Sequence, residues 1–167
     1  MTAEEIKQYL EQLNDELRLM EIKGEVSLYG GAVMCVVFDA RPATKDVEAV
    51  SRPSSEIRRA IVQVARRNDL PDDWLNDGVK GYLVEHPQRV LFVRSNLTVF
   101  VPEADYLLAM KAISARVDTY DKEDVKTLAE NLGLRTAAEI FEIVEKYYPH
   151  QQIKPATQFF IEEMFGG

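Results

Sequence analysis

Three observations predict an α+β (α/β) fold, a small mixed sheet flanked by helices and followed by a C-terminal helical half. Short apolar runs of strand character alternate with helical segments up to Pro102, every patterned segment beyond it has helical spacing, and no repeat or low-complexity stretch interrupts the chain. The 167 residues are enough for one real core, and the reading divides them into an α/β core with an N-terminal helix, 1–102, and a helical region packed on it, 103–167.

The elements follow in order. Thr2 is placed to cap a helix whose first turn holds Glu4 and Glu5 and whose apolar face is Ile6, Leu10, Leu13 and Leu17; Gly24 ends this segment. Glu25–Tyr29 reads as a strand running into Gly30 and Gly31. The apolar run 32–38 fits a buried strand or a short buried helix equally, because periodicity over seven apolar residues does not separate them. Pro42 breaks the chain, and Thr44–Val50 alternates as a second strand. Ser54 or Ser55 caps a helix through Arg67, and NDLPDDWLNDGVKGYL turns into a short helix near 78–83. Val90–Val93 and Leu97–Val101 read as strands around a polar turn at 94–96. Helices then cover 104–117, 122–132 ending at Gly133, 137–147 capped by Thr136, and about 156–165.

Composition narrows the function classes. A net charge of −8 argues against a generally basic nucleic-acid-coating surface, while leaving room for a local basic patch. Cys35 is the one cysteine, so no internal disulfide is available and a buried thiol in a reducing compartment is expected. The opening residues are acidic and amphipathic, unlike a signal or transit peptide, and no apolar run is long enough to cross a bilayer. A cytoplasmic protein without membrane association is the expectation.

The segment YGGAVMCVVFDARPATKDVEAV carries the chemistry. Adjacent glycines at the end of a strand bend the backbone sharply and admit another group where a β-carbon would stand. If a helix starts at Ala32, its free N–H groups face the same opening, where a triphosphate could sit. Asp46 and Glu48, two apart on a strand, share a face with Cα atoms roughly 6.6 Å apart. Carboxylates so spaced suit Mg²⁺ or Mn²⁺, which takes few protein oxygens and completes its shell with water and phosphate. Each feature also has a plain reading, an ordinary turn and two solvated acids; the combination is more specific than its parts.

That combination resembles the first motif of the polymerase-β-like nucleotidyltransferases, and within them the small bacterial AbiEii-toxin-like enzymes, whose motif runs from a Gly-Gly turn through an apolar stretch to Arg-x-Thr-x-Asp-x-Asp. Here RPATKDVE has one more residue between Arg41 and Thr44, and Glu48 stands at the second Asp. The stretch YLLAMKAISARVDTYDKEDVKTL resembles the later motif, with Lys111 at the helix-borne lysine and Asp121 and Asp124 at the following Asp-x-x-Asp pair. Asp121 reads equally as an N-cap with Asp124 three residues on. LPDDWLNDGVKGYL resembles the family as well, with Trp74 and Leu75 as core and Asn76 and Asp77 as helix caps or at the mouth of the site. The superfamily's third carboxylate has no counterpart in LTVFV, where Thr98 stands; Glu103 and Asp105 follow it, and the general base is unassigned.

The resemblance implies a nucleotidyltransferase-like core, an NTP substrate, and transfer of a nucleoside monophosphate to a hydroxyl of RNA (tRNA included) or protein. It implies Asp46, Glu48, Lys111 and Asp124 as catalytic, with Asp46 and Glu48 holding the metal, and Gly30, Gly31, Arg41, Thr44, Lys45 and Asp121 as nucleotide-binding. A toxin role would add an antitoxin protein as partner. The alternative is a catalytically weak nucleotide-binding or regulatory protein that keeps the fold. Elsewhere, Arg58, Arg59, Arg66 and Arg67 form either a solvated helix face or a patch for RNA. His86 and His150 lack neighbours at zinc spacing, and the C-terminal aromatics, Phe141, Tyr147, Tyr148, Phe159, Phe160 and Phe165, are expected to pack the helical tail.

Overall fold

The computed structural model describes residues 1–115 and 119–166. The fold is α+β, seven helices and a five-stranded mixed sheet among these residues, divided into two compact units.

Unit 1, residues 1–81 and 88–101, holds the sheet. Helix α1 (Ala3–Leu19) opens with a complete capping box: Thr2 Oγ1 accepts from the Glu5 amide and Glu5 Oε1 from the Thr2 amide. Strand β1 (Gly24–Tyr29) runs into helix α2 (Gly30–Val36), so the ambiguous apolar run is a helix, buried over Ala32–Cys35. Strand β2 (Val47–Arg52) starts three residues later than the alternation predicts. Helix α3 (Ser54–Asn68) begins after Pro53 with no side-chain cap; the Ser55 hydroxyl bonds Glu56 instead, so the expected serine cap is absent. Strand β3 (Leu75–Asn76) and a single 3-10 turn (Lys80–Tyr82) replace the short helix expected near 78–83. Strands β4 (Gln88–Val93) and β5 (Leu97–Pro102) close the sheet around the polar turn.

The strand order is β3-β2-β1-β5-β4, with β1 antiparallel to β2 and parallel to β5, and β2 parallel to β3. Register sorts the residues by face. Val26 lies beside Ser51 and Val99, Leu28 beside Ala49, and Val47 beside Leu75, giving one largely apolar face. Helices α1 and α3 pack there. A β-carbon added at Gly24 would come within 2.6 Å of Ile57 and 3.2 Å of Leu17, one residue from each helix. The opposite face carries Tyr29, Glu48 and Asn76 in one row across three strands.

Two polar anchors fix this packing. The Trp74 indole N–H, fully buried, donates to the Ile61 carbonyl at 2.9 Å, and its ring meets Tyr9 edge-on with centroids 5.6 Å apart. Asn14, buried on α1, accepts from the Asn96 amide at 2.7 Å, and the Asn96 side chain donates to the Ile22 carbonyl. One asparagine thereby ties the β4–β5 turn to the first helix.

Unit 2, residues 82–87 and 102–167, is helical: α4 (Ala104–Ser114), α5 (Thr119–Leu132), α6 (Ala137–Tyr147) and α7 (Pro155–Met164). Helix α4 is apolar nearly all round, as expected of a helix that packs against both α5 and α6. It ends at Ser114, short of the predicted Val117, which lies outside the described residues. Thr136 caps α6 and Gly133 ends α5 with φ +72°, both as the residue chemistry requires. Tyr148 and Phe160 are buried, whereas Phe159 is 69% exposed and so does not pack the tail. No helix among the described residues is long and apolar enough to cross a membrane.

Candidate functional site

The chain around position 30 is built to receive side chains from the loop and strand that follow. Tyr29 is the last residue of β1 and pairs with Glu48, so the start of α2 lies against the beginning of β2. Gly30 has φ +59°, a left-handed conformation that glycine adopts without strain. A β-carbon there would collide with Glu48 Oε2, and one on Gly31 would come within 2.6 Å of Thr44 Oγ1 and 3.0 Å of an Arg41 guanidinium nitrogen. The two glycines thus form the floor of a cradle walled by Arg41, Thr44 and Glu48.

The loop bearing Arg41 and Thr44 is held from two sides. Ala43 pairs with Thr2 in an isolated antiparallel bridge, and the Thr44 amide donates to the Met1 carbonyl at 2.8 Å. Thr44 Oγ1 then donates to the Asp46 carbonyl at 3.2 Å, tightening the turn into β2. Lys45, the remaining nucleotide-binding candidate of this motif, is exposed.

Asp46 immediately precedes β2 and Glu48 is its second residue; both are partly buried. The Asp46 carboxylate has a specific partner: Asn76 Nδ2 donates to its Oδ2 at 3.0 Å. Asn76 also accepts from the Gly78 amide at 3.0 Å, so it both caps the 78–80 turn and reaches the acidic pair. β3 therefore brings a neutral amide beside Glu48. The strand LTVFV, which carries Thr98 and no acid, is β5 and borders β1, one strand removed from Asp46 and Glu48. Non-local parallel pairing decided this, and a two-residue strand leaves no periodicity to read.

A cleft of about 280 Å³ opens at the β3 edge of this unit, with Asn76, Ser54, Arg58, Asp77 and Lys80 among its lining residues. Arg58, Arg59, Arg66 and Arg67 are all exposed on α3, Arg67 paired with Glu16 of α1.

The later motif gathers in unit 2. Lys111 Nζ on α4 lies 3.1 Å from Asp121 Oδ1 and 3.0 Å from Asp124 Oδ2, both on α5, and all three side chains are largely buried. Asp121 is the third residue of α5 and is engaged with Lys111, so it is not the N-cap. The helix-borne lysine answers the expectation that a cation among Leu107, Leu108, Met110 and Ile113 must meet an anion; the anions are the chain's own. Unit 2 also holds a ring stack, His86 on Tyr106 with centroids 3.7 Å apart, where burial lowers the His86 pKa.

Among the described residues, no group of three or more His, Cys, Asp and Glu side chains is arranged to hold a metal. The protein's own donor set at the cradle is the carboxylates of Asp46 and Glu48, and this fits Mg²⁺, which takes one or two carboxylates and fills its shell with water and phosphate. Compared with known proteins, the chain matches no protein-family model, no curated protein and no solved structure.

Proposed function

We propose that this chain is a metal-dependent nucleotidyltransferase that transfers a nucleoside monophosphate from an NTP to a hydroxyl of RNA or protein. The observation that carries the reading is the cradle: Gly30 and Gly31, Arg41, Thr44 and Glu48 meet at the end of β1, with Asp46 on the same stretch. The polymerase-β-like resemblance of these same residues supports it. In the reaction a bond forms between the acceptor oxygen and the α-phosphorus, the bond to the departing pyrophosphate breaks, and the hydroxyl loses its proton. Glycine backbone without β-carbons lets phosphate oxygens come close, and Arg41 offers a planar, permanently charged donor fork that suits them. Asp46 and Glu48 would hold Mg²⁺ or Mn²⁺, which supplies charge neutralisation at the phosphates. A toxin role with an antitoxin partner rests on the resemblance alone.

A second reading is favoured by one observation: Lys111, the phosphate-binding candidate, is already neutralised by two aspartates. On that reading the chain binds nucleotide and turns it over weakly or not at all. Incubation with each α-labelled NTP, Mg²⁺ or Mn²⁺ and total RNA, beside Asp46→Ala, separates the two. Transfer to RNA or to protein, lost in the variant, is the expected result. NTP binding without transfer under either metal would establish the second reading instead.

A further inference from the structure

We propose that Asn76 is a positioning residue of the acidic pair, acting through Asp46. The inference deepens the nucleotidyltransferase reading and rests on it for its purpose, though its geometry stands independently.

The direction of the Asn76 amide is fixed by its neighbours. The Gly78 N–H must meet an acceptor, which places Oδ1 there at 3.0 Å and turns Nδ2 away from it. Nδ2 then donates to Asp46 Oδ2 at 3.0 Å and to the Asp73 carbonyl at 3.3 Å. The side chain is partly buried, and three backbone or side-chain groups hold it. Parallel pairing sets Asn76 directly beside Glu48, while the hydrogen bond takes it to Asp46. One residue of a neighbouring strand is thus coupled to both acids, to one by a bond and to the other by register.

The chemistry of an amide at this place differs from that of an acid. A neutral N–H donor anchors one oxygen of Asp46 without adding charge, and leaves its other oxygen for a cation. A third carboxylate beside Asp46 and Glu48 would repel both in the absence of metal and add a ligand in its presence. Partners that orient a metal-binding carboxylate are worth about 10–100-fold in metal affinity or activity.

Two variants test this. Asn76→Ala removes both bonds, whereas Asn76→Asp keeps an acceptor for the Gly78 amide and replaces only the donor that faces Asp46. Mn²⁺ alone is titrated into wild type and variants, followed by paramagnetic relaxation of water, and kcat and KM for transfer are then measured. Asn76→Ala is expected to weaken Mn²⁺ binding and lower kcat by about 10–100-fold, with KM for the NTP little changed. Asn76→Asp is expected to bind Mn²⁺ more tightly than wild type and to show a larger Mn²⁺-induced rise in Tm. Should Asn76→Ala not fold, Asn76→Ser, whose shorter side chain brings no amide N–H to Asp46 and adds no charge, takes its place with the same expected weakening. Mn²⁺ affinity within about two-fold of wild type in the folded variants would overturn the proposal, since the expected effect is at least several-fold. If wild type transfers nucleotide and the variants do so equally well, only this inference fails. If wild type takes up Mn²⁺ and transfers nothing, the functional reading fails while the Asn76–Asp46 coupling is still decided by the titration. Wild type that takes up no Mn²⁺ overturns both.

Discussion

Glu48 Oε2 occupies the space where any residue but glycine at position 30 would carry its β-carbon. Two penalties therefore meet in Gly30→Ala: the left-handed backbone, worth about 1–3 kcal/mol for a non-glycine residue, and displacement of the Glu48 carboxylate. The variant is expected to lose both stability and NTP affinity. In a Glu48→Ala background the collision disappears and only the backbone cost remains, so the two substitutions will be non-additive in urea denaturation. Additive effects would show that the carboxylate moves aside freely.

The buried trio of Lys111, Asp121 and Asp124 makes a separate prediction. Lys111→Met takes one buried cation away from two largely buried carboxylates and is expected to cost about 3–5 kcal/mol of stability. Adding Asp121→Asn and Asp124→Asn to the same chain should restore much of that loss, because neutral amides need no counter-ion. Urea titrations of the single and triple variants measure it. A Lys111→Met protein as stable as wild type would mean that the lysine contributes charge for a ligand and little to the fold.

Asn14 is the polar link between α1 and the β4–β5 turn. Asn14→Leu keeps the branched heavy-atom shape but leaves the Asn96 amide without its acceptor, an expected cost of about 1–3 kcal/mol. Amide hydrogen exchange should rise at Asn96 first. Unchanged exchange there would show that water takes over the bond.

His86 gives unit 2 a pH dependence whose sign follows from burial. Its folded pKa lies below the ordinary value of 6.5, chiefly through desolvation, partly offset by the hydrogen bond from Nδ1 to the Val84 carbonyl. The unfolded chain binds the proton more readily, so the contribution is complete above the unfolded pKa and is lost as pH falls through the folded one. Stability should decline as the medium is acidified below about pH 6.5, and His86→Gln should decline less over the same interval. Equal slopes in the two proteins would assign the decline to other groups.

How much of this was legible in the sequence depends on the range of the interaction that decides each feature. Local chemistry was readable: Thr2 and Glu5 make their capping box, Thr136 caps its helix, Gly133 ends one, and the apolar positions of α1 at helical spacing are its buried face. Features decided by distant partners were not. The run 32–38 became a helix because the sheet is completed without it, by β5 on one side of β1 and β2 on the other. Ser54 and Ser55 have the right chemistry for a cap, yet the entry from Pro53 leaves both unused in that role. Phe159 is apolar and exposed, which no pattern over ten residues distinguishes from the buried Phe160 beside it. Within the site, the glycines and acids stood out by spacing, while the bond from Asn76 to Asp46 spans thirty residues and two strands and has no local signature.

Trp74 is the chain's single tryptophan. Its indole is sealed from solvent, anchored to the Ile61 carbonyl, and two residues from Asn76 on the same short segment. The unlabelled protein therefore carries its own optical probe at the strand that borders the acids. Excited at the red edge of its absorption, beyond the seven tyrosines, that ring reports on one place only, and a ligand that shifts the segment will change its wavelength or intensity without a dye or a tag.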